Sequence, residues 1–317
     1  MHTTQAVNGT TVTTQAVRAN GLDFEVETCG DGDRLALCLH GFPELAYSWR
    51  YQMPLLAELG YRVWAPNQRG YGNSSRPRAT SAYALSHLLD DVASLIDASG
   101  ARSVTLLGHD WGAIVAWFFA IRKLRPLERL VIMNVPHPLV FREALRKAAQ
   151  RKRSWYVAAF QLPFLPELVL SRNGAEPIAQ LILRSSRDRS RFGRDVLDVY
   201  RRAAAQPGAL KAMIDWYRAN IRGGGMRAQM RLGMPTIDVP TLMVWGESDA
   251  ALGIETTYGT ERYVRNLTLR TLPGVSHWVQ QEAPEVVNVM LAAFLRNEPV
   301  PSAAEIAAAT SAPRARS

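Results

Sequence analysis

The chain has 317 residues, 47% of them apolar and 21% charged, with a formal net charge of +9 and modest Gly and Pro content. That length buries a sizeable core, either as one large domain carrying an insertion or as two domains. The composition excludes a collagenous, disordered or disulfide-scaffold chain. The charge is uneven: residues 141–231 hold 19 Lys or Arg against 7 Asp or Glu, leaving 18 against 21 elsewhere. The arginines are spread along helical segments rather than clustered with aromatics, so the excess reads as a solvated outer face and no nucleic-acid partner is expected. The strongest apolar run, Ala113–Ile121, falls far short of the roughly 20 residues that a bilayer requires. Arg122 and Lys123 close that run, and no membrane insertion is expected. The Thr-rich N-terminus lacks the basic and then apolar pattern of a secretory signal, which makes a cytoplasmic location the expectation. Cys29 and Cys38 lie in segments that read as neighbouring strands; two reduced, buried thiols are expected, with a disulfide between them left open.

Residues 1–12 read as a flexible tail, although TTQAV recurs at Thr3–Val7 and Thr13–Val17, since one short duplication builds no repeat fold. Asn20-Gly21, between Gln15–Arg18 and Leu22–Glu27, is a two-residue hairpin signal and predicts an antiparallel entry to a sheet. Apolar runs follow at Leu35–Leu39, Arg62–Ala65, Val104–Leu107, Leu130–Met133, Thr241–Trp245 and Leu267–Leu272. Helical periodicity at Leu85–Ala98, Ile114–Arg122 and Val286–Arg296 alternates with them, which predicts an α/β fold with a mainly parallel sheet covered on both faces. About 100 residues separate the fourth of these runs from the fifth, where one crossover of roughly 30 would do. The interval contains helix-forming segments at Phe141–Gln150, Trp155–Leu162, Ile178–Leu183, Val196–Ala204 and Leu210–Tyr217. The expected organisation is therefore a catalytic domain of residues 13–137 and 236–297, a helical lid of 138–235, and a flexible C-terminal tail of 298–317.

After the run Val104–Leu107 comes Gly108-His109-Asp110-Trp111-Gly112 and then a helix. Small residues two before and two after a central position let a strand turn sharply into a helix and project the central side chain at the helix N-terminus. The central residue here is Asp110, a candidate nucleophile. A helix N-cap explains the same residue equally well from this segment alone. Enzymes with such an elbow place nucleophile, acid and histidine in that chain order, and Asp110, Asp249 and His277 follow it at predicted strand ends. Glu247 is the alternative acid, and Asn134 stands at another strand end but is not acidic. His40-Gly41-Phe42-Pro43-Glu44 makes a sharp strand exit, so the amides of Phe42 and Trp111 are candidates for an oxyanion hole. His40 is read either as a brace for that loop or as a buried, satisfied histidine. His2, His87, His109 and His137 are expected to be exposed, capping or supporting groups.

The assembled motifs resemble those of the soluble epoxide hydrolases of the α/β-hydrolase superfamily: HGFPE at 40–44, NQRGYGNS at 67–74, GHDWGA at 108–113, WGESD at 245–249 and SHWVQQEAPEVV at 276–287. Asn67 departs from the pattern, which more often has Asp there. The resemblance also implies two lid tyrosines that hold and protonate the epoxide oxygen, matching Tyr156 in Tyr156-Val157-Ala158-Ala159-Phe160-Gln161 and Tyr217 in Trp216-Tyr217-Arg218. Without it, either would read as a packing residue with a wet hydroxyl. The implied reaction converts a small hydrophobic epoxide to a vicinal diol through an Asp110 ester, without metal or organic cofactor. Haloalkane or haloacid dehalogenase is the alternative on the same nucleophile, and a noncatalytic ligand receptor lies further off. A homodimer is left open.

Overall fold

The computed structural model describes residues 3–7 and 10–311, with side chains described from Thr10 onward. Nine strands form one sheet: β1 (Thr3–Val7), β2 (Thr10–Ala19), β3 (Leu22–Cys29), β4 (Arg34–Leu39), β5 (Tyr61–Pro66), β6 (Ser103–His109), β7 (Arg129–Met133), β8 (Thr241–Gly246) and β9 (Leu267–Leu272). Their order is β1-β2-β3-β5-β4-β6-β7-β8-β9. The pairings β1·β2, β2·β3 and β3·β5 are antiparallel; those from β5 to β9 are parallel. The hairpin turns at Asn20 and Gly21, both at positive φ (47° and 71°), as a two-residue turn of that hand requires.

Side-chain alternation splits the core into two layers, one on each face of the sheet. Leu35, Leu37 and Leu39 of β4, with Met243 and Trp245 of β8, face helices α2 (Leu85–Ser99) and α3 (Trp111–Arg122). Ala36, Cys38, Leu242 and Val244 face the opposite layer, built on Met53 and Leu56 and on Met290, Leu291 and Phe294 of the helix Pro284–Leu295. Trp117, Phe118 and Phe119 of α3 are fully buried, each contributing about 1.5–3 kcal/mol by removal from water. That packing fixes the helix whose first residue follows Asp110.

Between β7 and β8 the chain leaves the sheet and forms only helices, from Pro138–Ala144 to Gly225–Arg231. The expected single helix Phe141–Gln150 is two, Pro138–Ala144 and Ala148–Arg153. A helix assigned from Arg172 to Ser185 contains Asn173, Gly174 and Ala175 at positive φ, so its regular part is the end around Ile178–Leu183.

Three expectations need correction. Thr3–Val7, read as tail, pairs with β2, because its β-favouring threonines and valine find an unpaired sheet edge. In the C-terminal segment expected to be flexible, Ala303–Ser311 is an alanine-rich helix begun by a capping box, in which Ser302 accepts from the Glu305 amide and Glu305 from the Ser302 amide. Cys29 and Cys38 are buried, free thiols, but β5 lies between their strands, so they are not on neighbouring strands. His2 lies outside the described residues.

Candidate active site

Asp110 joins β6 to α3 with φ 48° and ψ −122°, a conformation costing a non-glycine residue on the order of 1–3 kcal/mol. Its carboxylate makes no capping bond to α3. It accepts instead from the Phe42 amide at 2.7 Å, which removes the N-cap reading of this side chain. The turn works because backbones approach closely: a Cβ on Gly112 would strike the Leu39 carbonyl, and one on Gly41 would strike the Asp110 side chain. Trp111, the first residue of α3, is buried, and its amide belongs to the first-turn donors that lack a partner within a helix.

The strand ends bring His277 and Asp249 to the same place. His277 Nδ1 lies 2.6 Å from Asp249 Oδ2, and His277 Nε2 lies 3.6 Å from Asp110 Oδ2. Three further hydrogen bonds fix Asp249, whose side chain has no exposure: amides of Ala251 and Leu252 donate to Oδ1 at 2.8 and 3.0 Å, and Asn134 Nδ2 donates to Oδ2 at 2.8 Å. Glu247 is exposed and takes no part. Asn134, with φ 50°, also accepts from the Gly246 amide, tying β7 to β8 beside the acid. The Asp110 side chain keeps 14% exposure, so it alone of the two aspartates is open to a substrate.

The ionisation of the trio follows from this geometry. Burial alone would raise the Asp110 carboxyl, but His277, His109 and the Phe42 amide hold it below the usual value. Asp249 is held low in the same way, by His277, Asn134 and the Leu252 amide against its burial. Burial would lower His277, yet the carboxylates of Asp249 and Asp110 hold it well above the usual histidine value. Flanked by these two carboxylates, the protonated form of His277 is favoured in the resting protein.

Two tyrosines from the helical insertion pack beside the elbow. Tyr217 packs edge-on against Trp111 at 5.0 Å and Phe42 at 5.5 Å between ring centroids, and Tyr156 lies 6.2 Å from Tyr217. Burial, aided by the charge of Asp110, pushes both phenols above their ordinary pKa, so both remain proton donors. Arg218 holds the two tyrosine segments together, donating to the carbonyls of Phe160 and Leu162 and pairing with Glu167.

Several supporting groups have partners that the linear sequence did not identify. His109 is fully buried, with Nδ1 2.6 Å from Glu44 Oε2 and Nε2 2.8 Å from the His277 carbonyl, so its ring ties the Glu44 loop to the backbone of His277. Glu44 also accepts from the Gly41 amide and from Gln280 and Gln281. His40 braces its loop as a neutral, buried ring: Nδ1–H donates to Gly41, Nε2 accepts from the Gln68 amide, and burial lowers its pKa to about 4. His137 caps the helix Pro138–Ala144, and His87 is exposed. Asn67 accepts from the Ala46 amide and donates to Glu25 at 2.5 Å, a bond that an aspartate there could make only when protonated.

Among the contacts that join the insertion to the catalytic loops, two flank the acid and the histidine. Glu282 Oε1 accepts from the amides of Arg187 and Asp188 at 3.1 and 2.9 Å, while Oε2 accepts from Ser276, the residue before His277. Gln150 donates to the Ala251 carbonyl and accepts from the Gly253 amide, across the loop that holds Asp249.

A mainly parallel sheet with a strand-to-helix elbow, an acid and a histidine at successive strand ends defines an α/β hydrolase. The model of the alpha/beta hydrolase fold family matches residues 37–284, and the chain belongs to that family. Its relatives place it, within the family, among the epoxide hydrolases. It is 37% identical over 289 residues to epoxide hydrolase 4 of Mus musculus, covering 89% of this chain and 79% of that one. It is equally similar, 37% over 287 residues, to the AB hydrolase superfamily protein YfhM of Bacillus subtilis, covering 90% and 98%. Among solved structures, that of a Bacillus megaterium epoxide hydrolase in complex with an inhibitor superposes with a TM-score of 0.82 at 28% identity, covering 89% of this chain and 100% of that one.

Proposed function

We propose that this chain hydrolyses epoxides to vicinal diols through a covalent ester on Asp110, beneath a lid formed by residues 138–235. The observation that carries this reading is the Asp110 carboxylate itself, with one oxygen on the Phe42 amide and the other toward His277, under two protonated phenols. Oδ2 attacks a ring carbon as the carbon–oxygen bond breaks. Tyr156 and Tyr217 hydrogen-bond the departing oxygen, and one of them gives up its proton, so a hydroxyalkyl ester and a phenolate form.

Ester formation removes the charge of Asp110, which is one of the two anions that keep His277 protonated. His277 then releases its resting proton to solvent, regaining it once the Asp110 carboxylate is restored, and becomes a base oriented by Asp249. Water attacks Cγ of Asp110, His277 takes a proton from it, and negative charge develops on Oδ1, already seated on the Phe42 amide, with the Trp111 amide as the second donor. Collapse expels the diol alkoxide, which takes the proton from His277. The second water proton, left on the Asp110 carboxyl, returns to the phenolate. The sum is epoxide plus water giving diol, and no step needs a metal or cofactor.

Incubation with a simple aryl epoxide and, separately, a haloalkane tests the reading. Diol release with no halide release is expected; halide release without diol would assign the same nucleophile to dehalogenation.

A further inference from the structure

The outer face of the insertion combines positive charge with uncovered apolar side chains. Between residues 144 and 175 there are six Lys or Arg and a single acidic residue, Glu167. Glu167 is already neutralised by Arg218. In the same stretch Trp155, Leu162, Phe164, Leu165 and Leu168 are exposed, Phe164 by 82% and Trp155 by 68%. Single exposed apolar residues are ordinary, but five within 15 residues of chain is an unusual density. Arg151, Lys152 and Arg153 precede Trp155, Arg172 follows the short helix Leu165–Leu170, and Arg222 donates to the Gln161 carbonyl.

Phe164 sharpens the point. It has φ +60°, a strain of about 1–3 kcal/mol for a bulky residue. Its ring offsets none of that by packing within the chain, because it stands in solvent. The inner side of the same segment is a wall of the catalytic site: Phe160 packs on Phe42 at 5.4 Å and on Tyr217 at 4.9 Å.

We propose that this face docks on an anionic lipid surface, with Trp155 and Phe164 among the headgroups and the flanking basic side chains over them. Charge selects this occupant. A second copy related by two-fold symmetry would bring the same basic residues against one another. An anionic bilayer neutralises them while its acyl boundary covers the aromatic rings, the pattern of an interfacial surface with Trp at headgroup depth. Spanning is not involved: no helix among the described residues is long and apolar enough to cross a membrane. Docking does not depend on the reaction assigned above, but it would set the lid segment against the phase in which an apolar epoxide concentrates.

Flotation of the full chain with vesicles tests the proposal, using phosphatidylcholine alone and phosphatidylcholine mixed with phosphatidylglycerol, in about 0.1 M salt. The parent should float with the anionic vesicles and not with the neutral ones. Phe164→Ser with Leu168→Ser, and separately Arg151→Glu with Lys152→Glu, should each weaken binding by about tenfold or more. Near-ultraviolet circular dichroism checks that each variant keeps its fold. Absence of parental flotation, equal flotation on neutral vesicles, or flotation unchanged in either double variant would overturn the proposal. So would a parental dimer in sedimentation that Phe164→Ser with Leu168→Ser dissolves, since a second copy would then cover the face. Binding to an acidic polypeptide without flotation would assign the surface to a protein partner instead.

Discussion

Replacing Tyr156 and Tyr217 with Phe, singly and together, isolates the acid function assigned to the insertion. The substitution removes one hydroxyl and retains the ring, so the edge contacts of Tyr217 with Trp111 (5.0 Å), Phe42 (5.5 Å) and Phe160 (4.9 Å) survive. A hydrogen bond to a developing alkoxide contributes about 1.5–3 kcal/mol, so each single variant should open the ring roughly 10- to 150-fold more slowly. In either single variant the remaining phenol still reaches the oxygen, so the double variant should lose far more than either alone. The assay is single-turnover epoxide consumption with enzyme in excess, which reads ring opening without ester hydrolysis. Thermal unfolding serves as the control, with less than about 1 kcal/mol of change expected for losing a hydroxyl from a retained ring. Ring opening at the parental rate in the double variant, with the fold intact, would refute the assignment and return both tyrosines to packing roles.

Other consequences follow from the same contacts. Asp110 is held below its usual value, while in the ester Asp249 alone still raises His277; ester hydrolysis, which needs neutral His277, should fail as pH falls through that group's pKa in the ester, while ester formation, which needs ionised Asp110, persists to lower pH. Rapid-quench measurement of ester across pH checks this, and a single shared acid limb would count against it. Asn134→Ala removes a donor to Asp249 and the acceptor of the Gly246 amide, and should cost about 1–3 kcal/mol in urea unfolding while slowing ester hydrolysis more than ester formation. Glu282→Ala leaves the Arg187 and Asp188 amides and Ser276 without their acceptor; stability should drop by about 2 kcal/mol or more, with ester hydrolysis slowed because Ser276 adjoins His277. Asn67→Asp sets a second carboxylate against Glu25, so its stability deficit should shrink as pH falls and one of the pair protonates.

The parts of the fold that were legible are those where one face of an element is buried and the pattern repeats. The expected strand Leu267–Leu272 coincides with β9, and Leu85–Ala98 falls one residue short of α2. The insertion was harder to divide. Nothing in Ala144-Leu145-Arg146-Lys147 signals a helix break by residue type; the break is closed locally, Arg151 folding back to donate to the carbonyls of Leu145 and Arg146. Cys29 and Cys38 read as neighbours because strand order within a sheet is set by crossovers, which leave no local trace. For the candidate site, chain order and strand-end position brought forward Asp110, Asp249 and His277. Sequence could not say whether the Asp110 carboxylate turns toward α3 or toward Phe42, because that depends on the close approach of Gly41. The Glu44–His109 contact spans 65 residues and the Glu282–Arg187 contact 95; such pairs have no periodicity by which a single sequence reveals them.

In this mechanism an Asp110 oxygen, and not water, attacks the epoxide carbon. A single turnover in heavy-oxygen water, with enzyme in excess, tests it most directly. An unlabelled first diol is expected, with solvent oxygen incorporated into the Asp110 carboxylate. His277→Gln should accumulate the ester, seen by mass spectrometry as substrate mass on the peptide containing Asp110. A fully labelled first diol, with no adduct in that variant, would contradict this mechanism.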